Sequence, residues 1–295
     1  MPLNKGPYVI VDGDNELYRA FYKHERMTHS DLGTGALFGM PRSISSIIKK
    51  LKPAHITIAW DGKRDKRRIE ITPDYKKGPT RLGKAQAKED AFRQKDILRN
   101  LFEKLGIDQA HRHNIEGDDH IYMVVREWRK AGRDIIIVSS DKDFRQLISP
   151  KVSIWNDRMN KMTTYDNCKE LHGYASYECS DTLCLVGDTS DNLKGYPGVG
   201  DKTAEKFLME FGSIKKFLKD KNLTFKRIDR KTLKSVYGEM REMVNLKYFY
   251  LKNIKGNREV TIYKGNKDRD KYLAICKKHG LKTHQGSNFI NTFKL

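Results

Sequence analysis

Three short apolar runs, each closing on an acidic residue, set the rhythm of the first half of the chain. Tyr8, Val9, Ile10 and Val11 lead into Asp12-Gly13, residues 55–60 lead into Asp61-Gly62, and residues 134–138 lead into Ser139-Ser140-Asp141. Runs this short and nearly continuous in apolar, β-branched residues predict parallel strands buried on both faces. Helical periodicity fills the intervals at 36–51 and 118–130. The pattern therefore predicts an α/β domain, with a central, mainly parallel sheet flanked by helices. In open sheets of this kind the functional crevice lies beyond the carboxyl ends of the strands, and each run delivers an aspartate to that edge. A single aspartate there is often only a helix N-cap; three in succession are poorly explained by capping alone. Another short strand is expected at 161–165, and helical stretches at 180–186, 202–211 and 214–218 predict a second, helical part. The expected division is an α/β domain over 1–186 and a helical region over 187–295, with 187–200 connecting the two.

Charge sharpens this picture. Among 295 residues, 58 Lys and Arg stand against 38 Asp and Glu, a net charge of +20. The surplus gathers in residues 63–104, with 14 basic and 7 acidic residues, and in residues 215–294, with 22 and 7. Basic surface on this scale favours a polyanion, and nucleic acid is the commonest, because each cation placed near a phosphate releases counterions. No apolar run approaches the ~20 residues needed to cross a bilayer, and the first residues lack the hydrophobic stretch of a secretory signal. A cytoplasmic protein with no membrane partner is expected. The four cysteines, Cys168, Cys179, Cys184 and Cys276, form no C-x-x-C pair, so they read as buried thiols and not as a zinc site or disulfide framework.

The acids cluster beyond the three strand ends. Glu116-Gly117-Asp118-Asp119 opens a helix, Ser140-Asp141-Lys142-Asp143 follows a strand, and Asp188 and Asp191 stand three apart on one helical side. With Asp12 and Asp61 the set numbers nine. If they converge, mutual repulsion raises their pKa values unless cations neutralise them. Hard divalent ions, Mg²⁺ or Mn²⁺, are the natural partners, and two of them roughly 3.5–4 Å apart serve phosphoryl chemistry.

Taken in order, Val11-Asp12-Gly13, Trp60-Asp61-Gly62, Glu116-Gly117-Asp118-Asp119, Ser140-Asp141-Lys142-Asp143-Phe144, Gly187-Asp188-x-x-Asp191-Asn192 and Gly195-x-x-Gly198-Val199-Gly200-x-Lys202-Thr203-Ala204 resemble the 5′ nuclease and flap endonuclease family. The chain looks most like bacteriophage 5′-3′ exonucleases and the 5′ nuclease domain of bacterial DNA polymerases. The resemblance implies a PIN-like nuclease domain followed by a helix-hairpin-helix region. It implies one ion at Asp12, Asp61, Glu116, Asp118 and Asp119, some of them through water, and a second at Asp141, Asp143, Asp188 and Asp191. It also implies a basic arch near 63–104, in which Arg68 opens the motif Arg-x-x-x-x-Pro-x-Tyr-Lys, Tyr75 stacks on a frayed base, Lys76 contacts the scissile phosphate and Arg81 adds charge. Lys84 and Lys88 would guide a single-stranded 5′ end. Gly198, Val199, Gly200, Lys202 and Thr203 would hold duplex phosphates, with K⁺ at the hairpin; glycines there let the backbone approach closely.

Gly117 in place of the commoner Ala is a departure from the family pattern, and so is Asp14, which adds either a further ligand or a cap to the next helix. The implied activity is hydrolysis near single-strand/duplex junctions of DNA or RNA-primed DNA, as exonuclease, flap endonuclease or both. The implied setting is a monomer removing primers or flaps beside replication proteins, in a bacterial host if the chain is phage-encoded. Two other readings share part of the pattern: a junction-binding protein without turnover, and a single-strand ribonuclease of the same α/β type, which needs neither the hairpin nor the basic helical extension.

Overall fold

The computed structural model describes residues 6–30, 32–77, 84–256 and 260–295, with side chains throughout except at 84–88. The central sheet comprises β1 (Tyr8–Asp12), β2 (His55–Ala59), β3 (Asp108–Ala110), β4 (Ile135–Val138), β5 (Val152–Asn156), β6 (Lys161–Thr163) and β7 (Ile262–Tyr263). Their order is β7-β3-β2-β1-β4-β5-β6. β1 runs parallel to β2 and β4, β2 to β3, and β4 to β5, while the edge strands β6 and β7 are antiparallel to their neighbours.

Burial on both faces explains why the first run is apolar at every position. Val9 and Val11 face a core built with the helices Gly13–Lys23, Gly35–Leu51 and Lys84–Lys104, whereas Ile10 faces a second core with the helix Gly117–Lys130. Each such side chain stabilises the fold by about 1.5–3 kcal/mol relative to exposure. The chain steps outward from β1 through β2 to β3, then restarts on the other side of β1 with β4 and β5. That reversal is the switch point at which open α/β sheets form their crevice. It brings the ends of β1, β2 and β4 and the start of the helix Gly117–Lys130 to one edge.

A separate core joins the helices Cys179–Val186, Asp201–Phe211, Ile214–Lys219 and Arg230–Val244, with Phe207, Phe217 and Leu233 fully buried. Residues 262–295 depart from the expected division. β7 pairs with β3, and Tyr272, Cys276, Leu281, Ile290 and Phe293 pack into the core beneath Gly35–Leu51 and Lys84–Lys104. This stretch therefore belongs with the α/β half. A two-residue strand is too short to show alternation, and Tyr272 and Cys276 sit among charged neighbours on the helix Arg269–Lys278. All four cysteines are buried free thiols, as expected. No helix of the described residues is long and apolar enough to cross a membrane.

Candidate active site

Asp12 ends β1 and caps the helix Gly13–Lys23, accepting the Asn15 N–H at 3.2 Å, while Ser139 at the end of β4 donates to its other oxygen at 2.8 Å. Burial, reinforced by Asp141 and Asp61, still pushes the Asp12 carboxyl well above the usual range. Asp14 is neither a free ligand nor the cap. Its oxygens accept from the Lys95 ammonium at 2.8 and 3.0 Å and from the Asp61 N–H at 2.7 Å, and Lys95 also donates to the Asp61 carbonyl at 2.9 Å. A buried lysine of the helix Lys84–Lys104 thus fixes the backbone of Asp61 through Asp14. The Asp61 carboxylate in turn accepts the Gly117 N–H, and a Cβ at Gly117 would lie 2.7 Å from that oxygen. Glycine in place of alanine makes room for this close approach.

The acids that open the helix Gly117–Lys130 divide. Glu116 accepts the Asp65 N–H at 3.0 Å, the Tyr75 hydroxyl at 3.0 Å and the Lys76 ammonium at 2.8 Å. Burial opposes its ionisation, but Arg68, Lys76 and these bonds outweigh it and hold its pKa down at about 2. Asp118 is pushed well above the carboxylate range by burial and by Asp141, Asp61 and Asp12, against Lys76. Asp119 is not brought to the cluster: both its oxygens accept from the buried Arg68 guanidinium, at 2.7 and 2.9 Å. Arg68 correspondingly does not reach toward a substrate, because its guanidinium lies 3.8 Å over the Phe249 ring and is sealed from water. Tyr75 is also buried, packed in the helical core, so its ring is not presented to a base. Of Arg68, Tyr75 and Lys76, only Lys76 stays partly open. Its N–H donates to the Asp191 carbonyl at 2.9 Å, its ammonium lies 4.0 Å from the Asp191 carboxylate, and its φ of +54° turns the chain into the cluster.

A tighter group forms across the switch point. Ligand oxygens of Asp143, Asp188 and Asp191 all lie within 4.8 Å of one another. Asp143 Oδ1 is buried without a hydrogen-bond partner, and burial with Asp141, Asp188 and Asp191 drives this carboxyl well above its ordinary value. Asp191 is pushed up to about 6 by burial and by Asp188, Asp141 and Glu116, against Lys76. Asp188 goes the other way despite burial, since Ser190 donates to it twice and the Lys142 ammonium stands 3.2 Å away. Asp141 accepts the Asp143 N–H at 2.8 Å and so shapes the turn that carries Asp143.

The hairpin lies just beyond this group. Gly198 has φ +74° with open space where a Cβ would stand, Gly200 caps the helix Asp201–Phe211, Val199 anchors the turn in the helical core, and Lys202 is exposed. Only glycine adopts that φ without strain, and a helix N-terminus favours an anion. Thr203 closes the turn, its N–H donating to the Gly200 carbonyl at 2.9 Å. Arg81 lies outside the described residues, as do the side chains of Lys84 and Lys88 at the start of Lys84–Lys104.

Residues 7–173 match the family described as 5′-3′ exonuclease, N-terminal resolvase-like domain, and residues 175–264 match 5′-3′ exonuclease, C-terminal SAM fold. The 5′-3′ exonuclease of Buchnera aphidicola subsp. Schizaphis graminum is 32% identical over 213 residues, covering 72% of each chain. DNA polymerase I of Bacillus caldotenax is 29% identical over 291 residues, which cover 95% of this chain and 32% of the polymerase. The chain thus spans about a third of that relative's length. A crystal structure of the bacteriophage T5 D15 flap endonuclease in complex with DNA and metal ions shares the fold, with a TM-score of 0.70 at 17% identity over 98% of this chain and 99% of the other. Matched from β1 through β7 by both domains of one family, the chain belongs to the 5′-3′ exonucleases.

Proposed function

We propose that the chain hydrolyses phosphodiesters near the 5′ end of a nucleic acid, at single-strand/duplex junctions of DNA or RNA-primed DNA, with Mg²⁺ or Mn²⁺ as cofactor. The observation that carries this reading is the convergence of Asp143, Asp188 and Asp191 around an orphaned buried oxygen, with the Lys76 ammonium at the rim. An all-oxygen set with raised carboxyl pKa values suits a hard divalent ion. Asp143, Asp188 and Asp191, supported by Asp141, would hold one ion, and Asp12, Asp61 and Asp118, backed by Glu116, a second. When bound, such ions supply positive charge to the phosphate and lower the pKa of an attacking water. The chain's own residues do the rest. Lys76 brings a cation to the phosphate as charge develops, and the Lys95–Asp14 pair keeps Asp61 aimed. The hairpin at Gly198 and Gly200 would grip the duplex backbone without reading sequence. The same reading assigns K⁺ to that hairpin, a monomeric state, and primer or flap removal in replication within a bacterial cytoplasm. Cleavage of a 5′-labelled flap in Mg²⁺, and its absence in EDTA, is the direct test; binding without cleavage in Mg²⁺ would leave a junction-binding protein instead.

Two variants probe the division of labour. Lys76→Ala should lower the single-turnover rate by roughly 10²-fold with little change in Kd, because one cation among many adds little to binding but acts on charge that grows in the transition state. Weakened binding at an unchanged rate would make it an ordinary phosphate contact. Lys95→Met should weaken Mn²⁺ affinity by roughly 10- to 100-fold, the usual effect of losing a residue that orients a ligand. Calorimetric titration checks this, and an unaltered affinity would reduce the Lys95–Asp14 pair to a structural tie.

A further inference from the structure

The helix Gly117–Lys130 leaves the acidic edge at Asp118 and ends among cations. Arg126, Arg129 and Lys130 occupy its last turns, and Lys247, on the helix Leu246–Phe249, joins them in lining a cavity of about 540 Å³. Among the described residues no carboxylate lines it. A helix C-terminus favours cations, which accounts for Arg129 and Lys130. It does not account for Lys247, which a separate element brings to the same hollow. Glu127 pairs with Arg126 and, at 2.9 Å, with Lys130, whereas Arg129 and Lys247 have no acidic partner among the described residues. Like charges gathered around a hollow repel one another, so the arrangement suits an anion.

The rest of the lining adds donors and rings. Ser180 is buried, and its hydroxyl oxygen accepts from the Asn245 amide at 2.7 Å, while its own proton has no acceptor among the described residues. Asn245 is pinned in turn by the Tyr248 N–H at 2.8 Å, and Gln146 by the carbonyls of Asp143 and Val244 at 2.8 and 2.9 Å. These walls are therefore set before any ligand arrives. Tyr177 is 71% exposed, on a turn fixed by the bond from the Ala175 N–H to the Glu178 carboxylate at 2.7 Å. Tyr122 rests against Tyr250 with ring centroids 5.3 Å apart, and burial lifts its hydroxyl above the ordinary value against Arg126 and Arg129, so it stays a donor. Cations with hydroxyl donors hold a phosphate, and a ring beside them takes a base by stacking. The volume lies within the ~300–1,000 Å³ of small-molecule sites. From Asp118 to Arg129 the helix rises about 16 Å, which separates this cavity from the acidic centre.

We infer that the cavity is a second binding site that takes a nucleoside monophosphate, with the phosphate on Arg129, Lys247 and Ser180 and the base against Tyr177. Hydrolysing a phosphodiester leaves one product with a terminal phosphate monoester, so the ligand is of a class the acidic centre itself would supply. The choice of a nucleotide among anions rests on the nuclease reading above; the choice of an anion does not.

Isothermal titration in EDTA, where metal-free carboxylates repel an anion, measures the binding of thymidine 5′-monophosphate, thymidine and inorganic phosphate to the full chain. The monophosphate should bind one to one and more tightly than phosphate, and thymidine should not register. Arg129→Met and Lys247→Met should each lower affinity for the monophosphate by roughly tenfold, within the range of a lost charge-assisted bond. Tyr177→Ala should bring the monophosphate down to the affinity of phosphate. All three side chains are exposed, so the variants leave the core intact. Lys277→Met with Lys278→Met removes two exposed charges from the helix Arg269–Lys278 and should change nothing. The inference is overturned by a wild type that shows no saturable binding or binds phosphate as tightly as the monophosphate. It is equally overturned by wild-type affinity in both cation variants, or by an equal loss in the Lys277→Met, Lys278→Met protein. A chain that binds the monophosphate as expected yet cleaves nothing in Mg²⁺ would refute the nuclease reading and leave the cavity standing; one that cleaves but binds no monophosphate would do the reverse.

Discussion

Replacing Asp143 or Asp188 by Asn is expected to slow cleavage by roughly 10³-fold or more in saturating Mg²⁺, since a divalent ion contributes several kcal/mol to charge stabilisation and each ~1.4 kcal/mol is tenfold in rate. Binding of a tailed duplex in EDTA should persist, because the basic surface is untouched. The same Asp143→Asn change should raise the melting temperature of the metal-free protein. Burial and three neighbouring aspartates lift the folded Asp143 carboxyl above its unfolded value of ~3.9. The sign follows from linkage: the fold disfavours the ionised form, so stability is fullest below ~pH 4 and declines as pH rises through the folded value. Asp191, at about 6, adds a loss over the window from ~pH 4 to 6. Scanning calorimetry in EDTA at pH 5 and 7.5 decides the matter. An Asp143→Asn protein that melts below the wild type at pH 7.5 would show that the carboxylates do not repel one another, and the ion-binding account of the group would fail with it.

The sheet was legible because its strands are buried on both faces, which leaves uninterrupted apolar runs, and because the carboxyl edge collects acids that no core tolerates. Asp12, Asp61, Asp118, Asp141, Asp143, Asp188 and Asp191 stood out as candidates for the same reason. The partner of Asp119 was not legible, for a geometric reason. Successive helical residues point about 100° apart, so Asp119 turns away from Asp118 and meets Arg68. The partners of Arg68 and Tyr75 were not legible because cations and phenols that contact nucleic acid are the same side chains that satisfy buried carboxylates, and only the fold shows which carboxylate is near. Asp14 and Lys95 are 81 residues apart in sequence, a pairing that no local pattern announces. The return of residues 262–295 was obscured by charge, although the i, i+4 spacing of Tyr272 and Cys276 carried a faint helical signal.

The second large effect falls on stability and concerns Arg68. Its guanidinium is 2% exposed, bonds both oxygens of Asp119, lies 3.4 Å from Glu116 and stacks on Phe249. Arg68→Ala would leave the Asp119 carboxylate buried without its partner, a loss of about 3–5 kcal/mol. In a chain of this size that corresponds to a melting temperature lower by roughly 10 °C. Arg68→Lys should recover little, because an ammonium cannot supply two parallel bonds or stack as a plane. The double change Arg68→Met with Asp119→Leu should recover much of the loss, since a buried ion pair replaced by apolar groups of similar volume is often neutral or better. The pair ties the helix Lys66–Ile71, which leads to Tyr75 and Lys76, to the start of the helix Gly117–Lys130. Cleavage should therefore fall in Arg68→Ala at temperatures where the protein begins to melt, and return with stability in the double variant. If Arg68→Ala keeps the wild-type melting temperature and loses only cleavage, the guanidinium acts on the substrate, as the sequence motif alone implies, and its structural role is refuted.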